Sequence, residues 1–295
     1  MNIKILTATF NHCKWINNLY TSLLNQTSKD FEWIVVDDGS TDETENVIKT
    51  FIDDGDINIR YVKKNNGGKS SAINVGLDLI SEDDIVIIID DDETLLDNAI
   101  KVIQRYCDDY NSTTDNIGII NFQRGNKHGG YFSNYIPEND IKMSYFEFSK
   151  LGYEMDGYIA YFGYAIKNYR FPIFEGEKYV GPSVLIMLCN EQYNMIYAKD
   201  SLGESEYMDD GITKQGRRLR LKNPCGMIYR CVLQQNKKMG LKKRLKYSMA
   251  GFAYKFISGY SFKDLNRKGI DTKKLNKLML IPGYLLSLRW KKDLK

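Results

Sequence analysis

The stretch Ile85-Val86-Ile87-Ile88-Ile89-Asp90-Asp91-Asp92-Glu93 carries the deciding pattern. Five β-branched residues in succession leave no polar face, as in a strand of a parallel sheet covered on both sides. The run stops at four consecutive carboxylates. Four like charges at the end of a buried strand repel one another unless water or a cation neutralises them. A Mg2+ or Mn2+ ion, which takes hard oxygen ligands and bridges to phosphate, meets that need. An exposed acidic turn without a ligand is the plainer alternative, and the rest of the chain has to decide between them.

Upstream, the same pattern of strand followed by polar turn recurs. Ile3 to Phe10 reads as a strand, followed by a helix with Trp15, Ile16, Leu19, Leu23 and Leu24 at helical spacing. Phe31 to Val36 is a second strand, ended by Asp37-Asp38-Gly39-Ser40, and Ser40-Thr41-Asp42-Glu43 opens the next helix with capping side chains and acids. Ile57 to Val62 and Ser70 to Ile80 supply a third strand and a third helix. Strands alternating with helices at this spacing predict an α/β fold, a mainly parallel sheet flanked by helices in right-handed βαβ order. Ligands of such sheets bind beyond the carboxyl ends of the strands. Thr7 to Phe10, Asp37/Asp38 and Asp90 to Glu93 all fall at those ends, and this convergence favours the metal over the acidic turn.

Other segments are more ambiguous. One of Asp37 and Asp38 is expected to accept a hydrogen bond from a nucleotide base, although either Asp38 or Ser40 would also suit a helix cap. Asn65-Asn66-Gly67-Gly68-Lys69-Ser70 is not a Walker A loop, because the required first glycine is Lys63. Lys69 could still meet a diphosphate as a point charge, or be solvated above a helix capped by Ser70; Asn74, one turn on, is open in the same way. Transfer to a hydroxyl needs a general base, and a carboxylate is the usual choice where histidine is scarce. Phe174-Glu175-Gly176-Glu177-Lys178 and Tyr207-Met208-Asp209-Asp210-Gly211 offer such acids.

Composition removes several classes. The five cysteines form no C-x-x-C pair, and with no apolar leader after Met1 they predict reduced thiols in a cytoplasmic protein. Two histidines make a histidine-built zinc site an unsuitable expectation. No apolar run reaches the roughly 18 residues of a membrane span. From Lys237 onward, 17 Lys/Arg face three acids, a net charge of +14 that leaves −11 for the remainder. There lysine and arginine alternate with large apolar residues, through Leu241 to Tyr247 and Phe252, Tyr254, Phe256, Ile257 and Tyr260, and again from Leu278 to Trp290. Such a basic, helical tail suits an anionic membrane surface, or else packs as a hairpin with solvated lysines. Nucleic acid is not expected as a partner, since no base-reading motif accompanies the charge.

Taken together, Thr7-Ala8-Thr9-Phe10-Asn11, Val36-Asp37-Asp38-Gly39-Ser40-Thr41-Asp42, Asn66-Gly67-Gly68-Lys69, Ala72-Ile73-Asn74-Val75-Gly76 and Asp90-Asp91-Asp92 resemble family 2 glycosyltransferases in order and spacing over about the first 100 residues. A weaker likeness, through Phe171 to Lys178 and Glu206 to Gly211, is to bacterial members that build surface polysaccharides. The resemblance implies the GT-A fold, Rossmann-like, with the basic tail as a C-terminal helical extension. Residues 1–236 would form the transferase domain, nucleotide-binding over 1–100 and acceptor-side over 101–236, and 237–295 the tail. Thr7 and Phe10 would line the base pocket, Asp38 or Asp37 would bond the base, and Lys69, Asn74, Asp90 and Asp91 would lie along the nucleotide. Asp92, with Asp90, would hold Mn2+ or Mg2+ in a DxD motif.

The implied reaction is inverting transfer from a nucleotide-sugar donor to a saccharide or lipid-linked saccharide, in the cytoplasm or at the inner face of the cell membrane. Many members place an acid at the start of the helix after the Glu-Lys segment as the base. Here that region reads Val180-Gly181-Pro182-Ser183, so Glu177 and then Asp210 become the expected bases. A catalytically silent sugar-nucleotide or polysaccharide binder of the same fold is the rival from another class. A nucleotidyltransferase would need a Gly-rich basic loop after the first strand, and Thr7 to His12 is not one.

Overall fold

The computed structural model describes residues 1–111, 116–205 and 212–294. In chain order the elements are β1 (Asn2–Thr9), α1 (Ile16–Leu24), β2 (Phe31–Asp37), α2 (Thr44–Asp54), β3 (Asn58–Lys63), α3 (Lys69–Leu77), β4 (Asp84–Ile88), β5 (Thr94–Leu95), α4 (Ala99–Tyr110), β6 (Ile117–Asn126), β7 (Ile141–Met143), α5 (Tyr145–Lys150), β8 (Gly157–Phe162), α6 (Gly163–Ile166), α7 (Ser183–Cys189), β9 (Asn194–Ser205), α8 (Ile212–Lys222), α9 (Pro224–Leu233), α10 (Leu241–Ser258), α11 (Phe262–Arg267) and α12 (Leu280–Trp290). They form two compact units. The first comprises Met1–Ser144, Tyr153–Arg170 and Cys189–Glu206, and the second Tyr145–Gly152, Phe171–Leu188 and Tyr207–Lys295. The second unit thus joins two short segments of the chain's middle to all the helices from α8 onward.

The first unit is built on a nine-stranded sheet of order β3-β2-β1-β4-β8-β6-β9-β5, with β7 on β9. The block β3-β2-β1-β4 is parallel throughout, with Ile3 opposite both Phe31 and Ile85. Val86 is fully buried and Ile85 and Ile87 nearly so, as the unbroken apolar run requires of a strand covered on both faces. The order reverses between β1 and β4, and such a reversal opens a crevice at the carboxyl ends of the two strands. Beyond β4 the sheet becomes mixed: β8 is antiparallel to β4 and to β6, and β9 runs parallel to β6 with register shifts.

Packing fixes how the helices meet this sheet. Tyr20 of α1 stacks on Phe51 of α2 at 3.8 Å between ring centroids, close against Trp33 of β2. Helix α3 approaches β1 at Gly76, where a Cβ would come within 2.1 Å of Leu6 Cδ1. Any larger residue would force the Leu6 side chain or the helix to shift.

The second unit is helical. Helix α10 packs on both α9 and α12, and α11 begins with Ser261 and Asp264 in a reciprocal capping box. Phe252 and Tyr254, which the basic tail could have offered to an outside partner, are buried. Among the described residues no helix is long and apolar enough to cross a membrane, and all five cysteines are free thiols, four of them buried.

Candidate active site

The carboxyl ends of β1 and β4 are joined side chain to side chain. Thr9, the last residue of β1, donates its hydroxyl to Asp91 Oδ2 at 2.6 Å in a buried contact, and His12 Nδ1 lies 2.9 Å from Asp91 Oδ1. Asp91 thus points into the fold and ties the two strand ends together. Its neighbours face other ways. Lys69 Nζ, at the start of α3, pairs with Asp90 Oδ1 at 2.5 Å, both side chains being more than a third exposed. Burial alone would raise the Asp90 carboxyl and lower the Lys69 ammonium. Their mutual attraction outweighs it, so Asp90 is held below and Lys69 above the ordinary value. Glu93 is buried, accepts from Arg124 Nη1 at 2.8 Å and from the Asp90 amide at 3.2 Å, and is pushed up by burial and by the Asp90 charge. Arg124 bridges onward to Asp156 at 2.8 Å.

Asp92 is different. Half-buried, its carboxylate has no side-chain hydrogen bond and no close ion pair among the described residues, only its own amide and, at longer range, the Lys69 charge. Burial, then the charges of Asp90 and Asp91, raise its proton affinity. The Lys69 charge, spent on Asp90, offsets this only in part. No group of three or more histidine, cysteine or acidic side chains suited to a metal exists among the described residues. A hard divalent cation at this point would have only Asp92 and Asp90 as nearby protein carboxylates and would need ligand oxygens to complete its shell.

The second pair of acids sits at the end of β2. Asp37 is fully buried, accepting from the Ser40 amide at 2.7 Å and the Tyr61 hydroxyl at 2.7 Å. Asp38 accepts from Lys64 Nζ at 2.7 Å and from the amides of Gly67 and Gly68 at 2.9 and 2.7 Å. Neither it nor Ser40 caps α2. Asp38 instead fastens the loop that leads into α3, so that Lys69 is delivered to Asp90. Ser70 is buried inside α3 and does not cap it. Thr7 is fully buried and accepts from Trp33 Nε1 at 3.0 Å. Phe10 stands exposed just beyond β1, and Asn74 lies half-buried on α3.

The structure thus brings Lys69 to Asp90 beside Asp91 and Asp92, and holds Thr7, Asp37 and Asp38 by partners of their own along β1 and at the end of β2. Sequence reasoning missed two members, His12 and Arg124, and gave Thr9, which lies within the Thr7 to Phe10 strand end, no role of its own. His12 was legible as one of only two histidines, next to the first strand end. Arg124 carried no local signal, being brought in by the mixed half of the sheet.

Glu177 belongs to the second unit. Its Oε1 accepts from the Cys225 amide at 2.7 Å and its Oε2 from the Gly226 amide at 2.9 Å, clamping the first turn of α9. Both oxygens thus serve a helix N-terminus, where a carboxylate is favoured by the dipole. Asp210 lies outside the described residues.

Residues 4–170 match the family model described as "Glycosyl transferase family 2". A poly(ribitol-phosphate) beta-N-acetylglucosaminyltransferase of Staphylococcus aureus, TarP, is 35% identical over 114 residues, covering 37% of this chain and 34% of that protein. A GalNAc(5)-diNAcBac-PP-undecaprenol beta-1,3-glucosyltransferase of Campylobacter jejuni is 29% identical over 181 residues, covering 59% of this chain and 49% of that protein. The matched stretches therefore span half or less of these relatives' own length. Among solved structures, S. aureus TarS 1-349 in complex with UDP-GlcNAc aligns with a TM-score of 0.63 at 14% identity, over 93% of this chain and 90% of that one. A mannosyltransferase from Pyrobaculum calidifontis, in complex with GDP-Man and Mn2+, aligns at 0.58 and 15% identity, over 99% and 88%. These two likenesses show the fold, GT-A.

Proposed function

The chain belongs to glycosyl transferase family 2, and on that footing we propose that it is a metal-dependent, inverting transferase moving a sugar from a nucleoside diphosphate to a hydroxyl of a cell-surface polysaccharide or glycolipid. Two relatives, a poly(ribitol-phosphate) and an undecaprenol-linked glycan transferase by name, support that acceptor class. UDP is the proposed carrier, as in the TarS complex, and a divalent cation accords with the Mn2+ in the mannosyltransferase complex.

The single observation that carries the reading is Asp92, a half-buried carboxylate with no side chain bonded to it and its proton affinity raised, beside the Asp90–Lys69 pair at the carboxyl end of β4. Asp92 and Asp90 would hold Mn2+ or Mg2+, which would supply positive charge against the charge developing on the departing diphosphate. Lys69 adds a point charge beside the phosphates. Phe10 offers an exposed ring to the base, while Asp38 and the Gly67–Gly68 loop shape the nucleotide wall, with Asn74 on the helix behind it. Thr7 and Asp37, both fully buried, support that wall from beneath. In the displacement the acceptor oxygen forms a bond to the anomeric carbon from the face opposite the diphosphate. The bond to the diphosphate oxygen breaks, and the acceptor proton passes to a carboxylate. Asp210 is favoured for that role, because both Glu177 oxygens already hold α9.

The test is release of nucleoside diphosphate from a panel of nucleotide sugars with Mn2+, paired with thermal melts. Wild type is expected to release UDP and to melt higher with Mn2+ and UDP together. Asp92→Asn should lose about 10²-fold or more in turnover, along with the Mn2+-dependent shift. No release with any donor, together with an Asp92→Ala protein that melts like wild type with metal and nucleotide, would overturn the proposal and leave a silent binder.

A further inference from the structure

Helix α12 leaves an apolar face uncovered. On α12, Ile281, Leu285 and Leu288 are 72%, 59% and 44% exposed, and their spacing puts them on one side of the helix; Leu278, 77% exposed, stands in the tight turn that leads into it. Tyr284, 47% exposed, lies on the same side. The helix has no freedom to turn this side inward. Its opposite side is buried through Gly283 and Ser287, and a Cβ at Gly283 would come within 2.5 Å of Phe252 Cβ and 2.8 Å of the Met249 carbonyl. α12 is locked against α10 with its leucines outward, and a contiguous apolar patch of this kind marks an interaction surface.

The charges around the stripe say what it meets. Lys277 precedes it and Arg289, Lys291 and Lys292 follow, all exposed, and no acidic residue occurs between Asp271 and Asp293. An apolar stripe with a rim of one sign complements an anionic bilayer, whose acyl boundary takes the leucines and whose phosphates take the cations. A second copy docking by this face would set like rims against each other. Nucleic acid would satisfy the lysines and leave the leucines in water.

We propose that the face formed by Ile281, Leu285 and Leu288 of the second unit, with Leu278 ahead of it, docks the protein onto an anionic membrane surface, lying in the interface without spanning it, with Lys277, Arg289, Lys291 and Lys292 on lipid phosphates. The inference concerns a lipid surface and stands apart from the sugar-transfer reading, whose assay is separate.

Flotation of the full chain with phosphatidylcholine vesicles, with and without phosphatidylglycerol, tests it. Wild type should float with the anionic vesicles, and less so as salt is raised. The double variant Ile281→Asp/Leu285→Asp changes exposed positions, and a melt checks that it stays folded. It should bind at least about tenfold more weakly. Lys291→Ala/Lys292→Ala should lose roughly fivefold for each cation removed, which keeps the test decisive if the aspartates disturb folding. Failure of wild type to float with anionic vesicles, or equal flotation of all three proteins, overturns the proposal. So does a light-scattering mass showing a wild-type dimer that the aspartate variant converts to monomer, since the face would then join two copies.

Discussion

Individual carboxylates in this chain have sharply different work, although several read alike in sequence. Asp90, Asp91 and Asp92 are consecutive, yet one pairs with Lys69, one staples β1 to β4 through Thr9, and one is left with no side chain bonded to it. Removing the charge of Asp92 relieves repulsion that the metal-free fold tolerates. Asp92→Asn should therefore melt no lower than wild type without metal, even though it loses turnover; a clear fall in its metal-free melting temperature would show that Asp92 has a structural partner. Glu177 is the opposite case. As a clamp on two amides of α9, Glu177→Gln should cost about 1–2 kcal/mol of stability with turnover per folded molecule retained. A base would behave otherwise, with the melt unchanged and turnover lowered by about 10²- to 10⁴-fold, the outcome expected for Asp210→Asn. Measuring melts and turnover on both variants assigns the roles.

At the scale of elements, the site depends on α3 being pressed onto β1. Gly76 allows that approach, and the Asp38 carboxylate, bound to Gly67 and Gly68, sets where α3 begins. Gly76→Val puts methyl groups where Leu6 lies, so the Leu6 side chain or the helix must shift. Denaturant unfolding should show a loss of about 1–3 kcal/mol from overpacking, and nucleotide affinity should fall as Lys69 moves with the helix. Unchanged stability would mean that Leu6 yields without moving α3. The parallel elements were legible because unbroken aliphatic runs such as Ile85 to Ile89 admit one reading. The strands β5 to β9 were not. Their residues mix polar and apolar positions, and β6 gains its parallel neighbour β9 across register shifts that no local pattern announces. Arg124 entered the site by that route.

For the molecule as a whole, the five cysteines are free and four are buried, so no covalent link supports either unit. Melting temperatures with and without reductant should agree within about 1 °C, since a native disulfide would contribute roughly 2–4 kcal/mol and separate them. The sequence by itself determined the α/β class, the parallel half of the sheet and the places of Asp38, Asp90 and Asp92 just past strand ends, all of which follow from local hydrophobic runs and their punctuation. Its motifs, in order and spacing, carried the resemblance to the family. It also located an excess of positive charge after Lys237. Tertiary structure alone decided which acid was left with no side chain bonded to it, that Glu177 holds a helix, that Phe252 and Tyr254 turn inward, and that the outward apolar face belongs to α12. Those outcomes depend on which atoms lie across a packed interface, through contacts such as Thr9 with Asp91 or Gly283 with Phe252, and residues far apart in the chain carry no mark of one another until the fold brings them together.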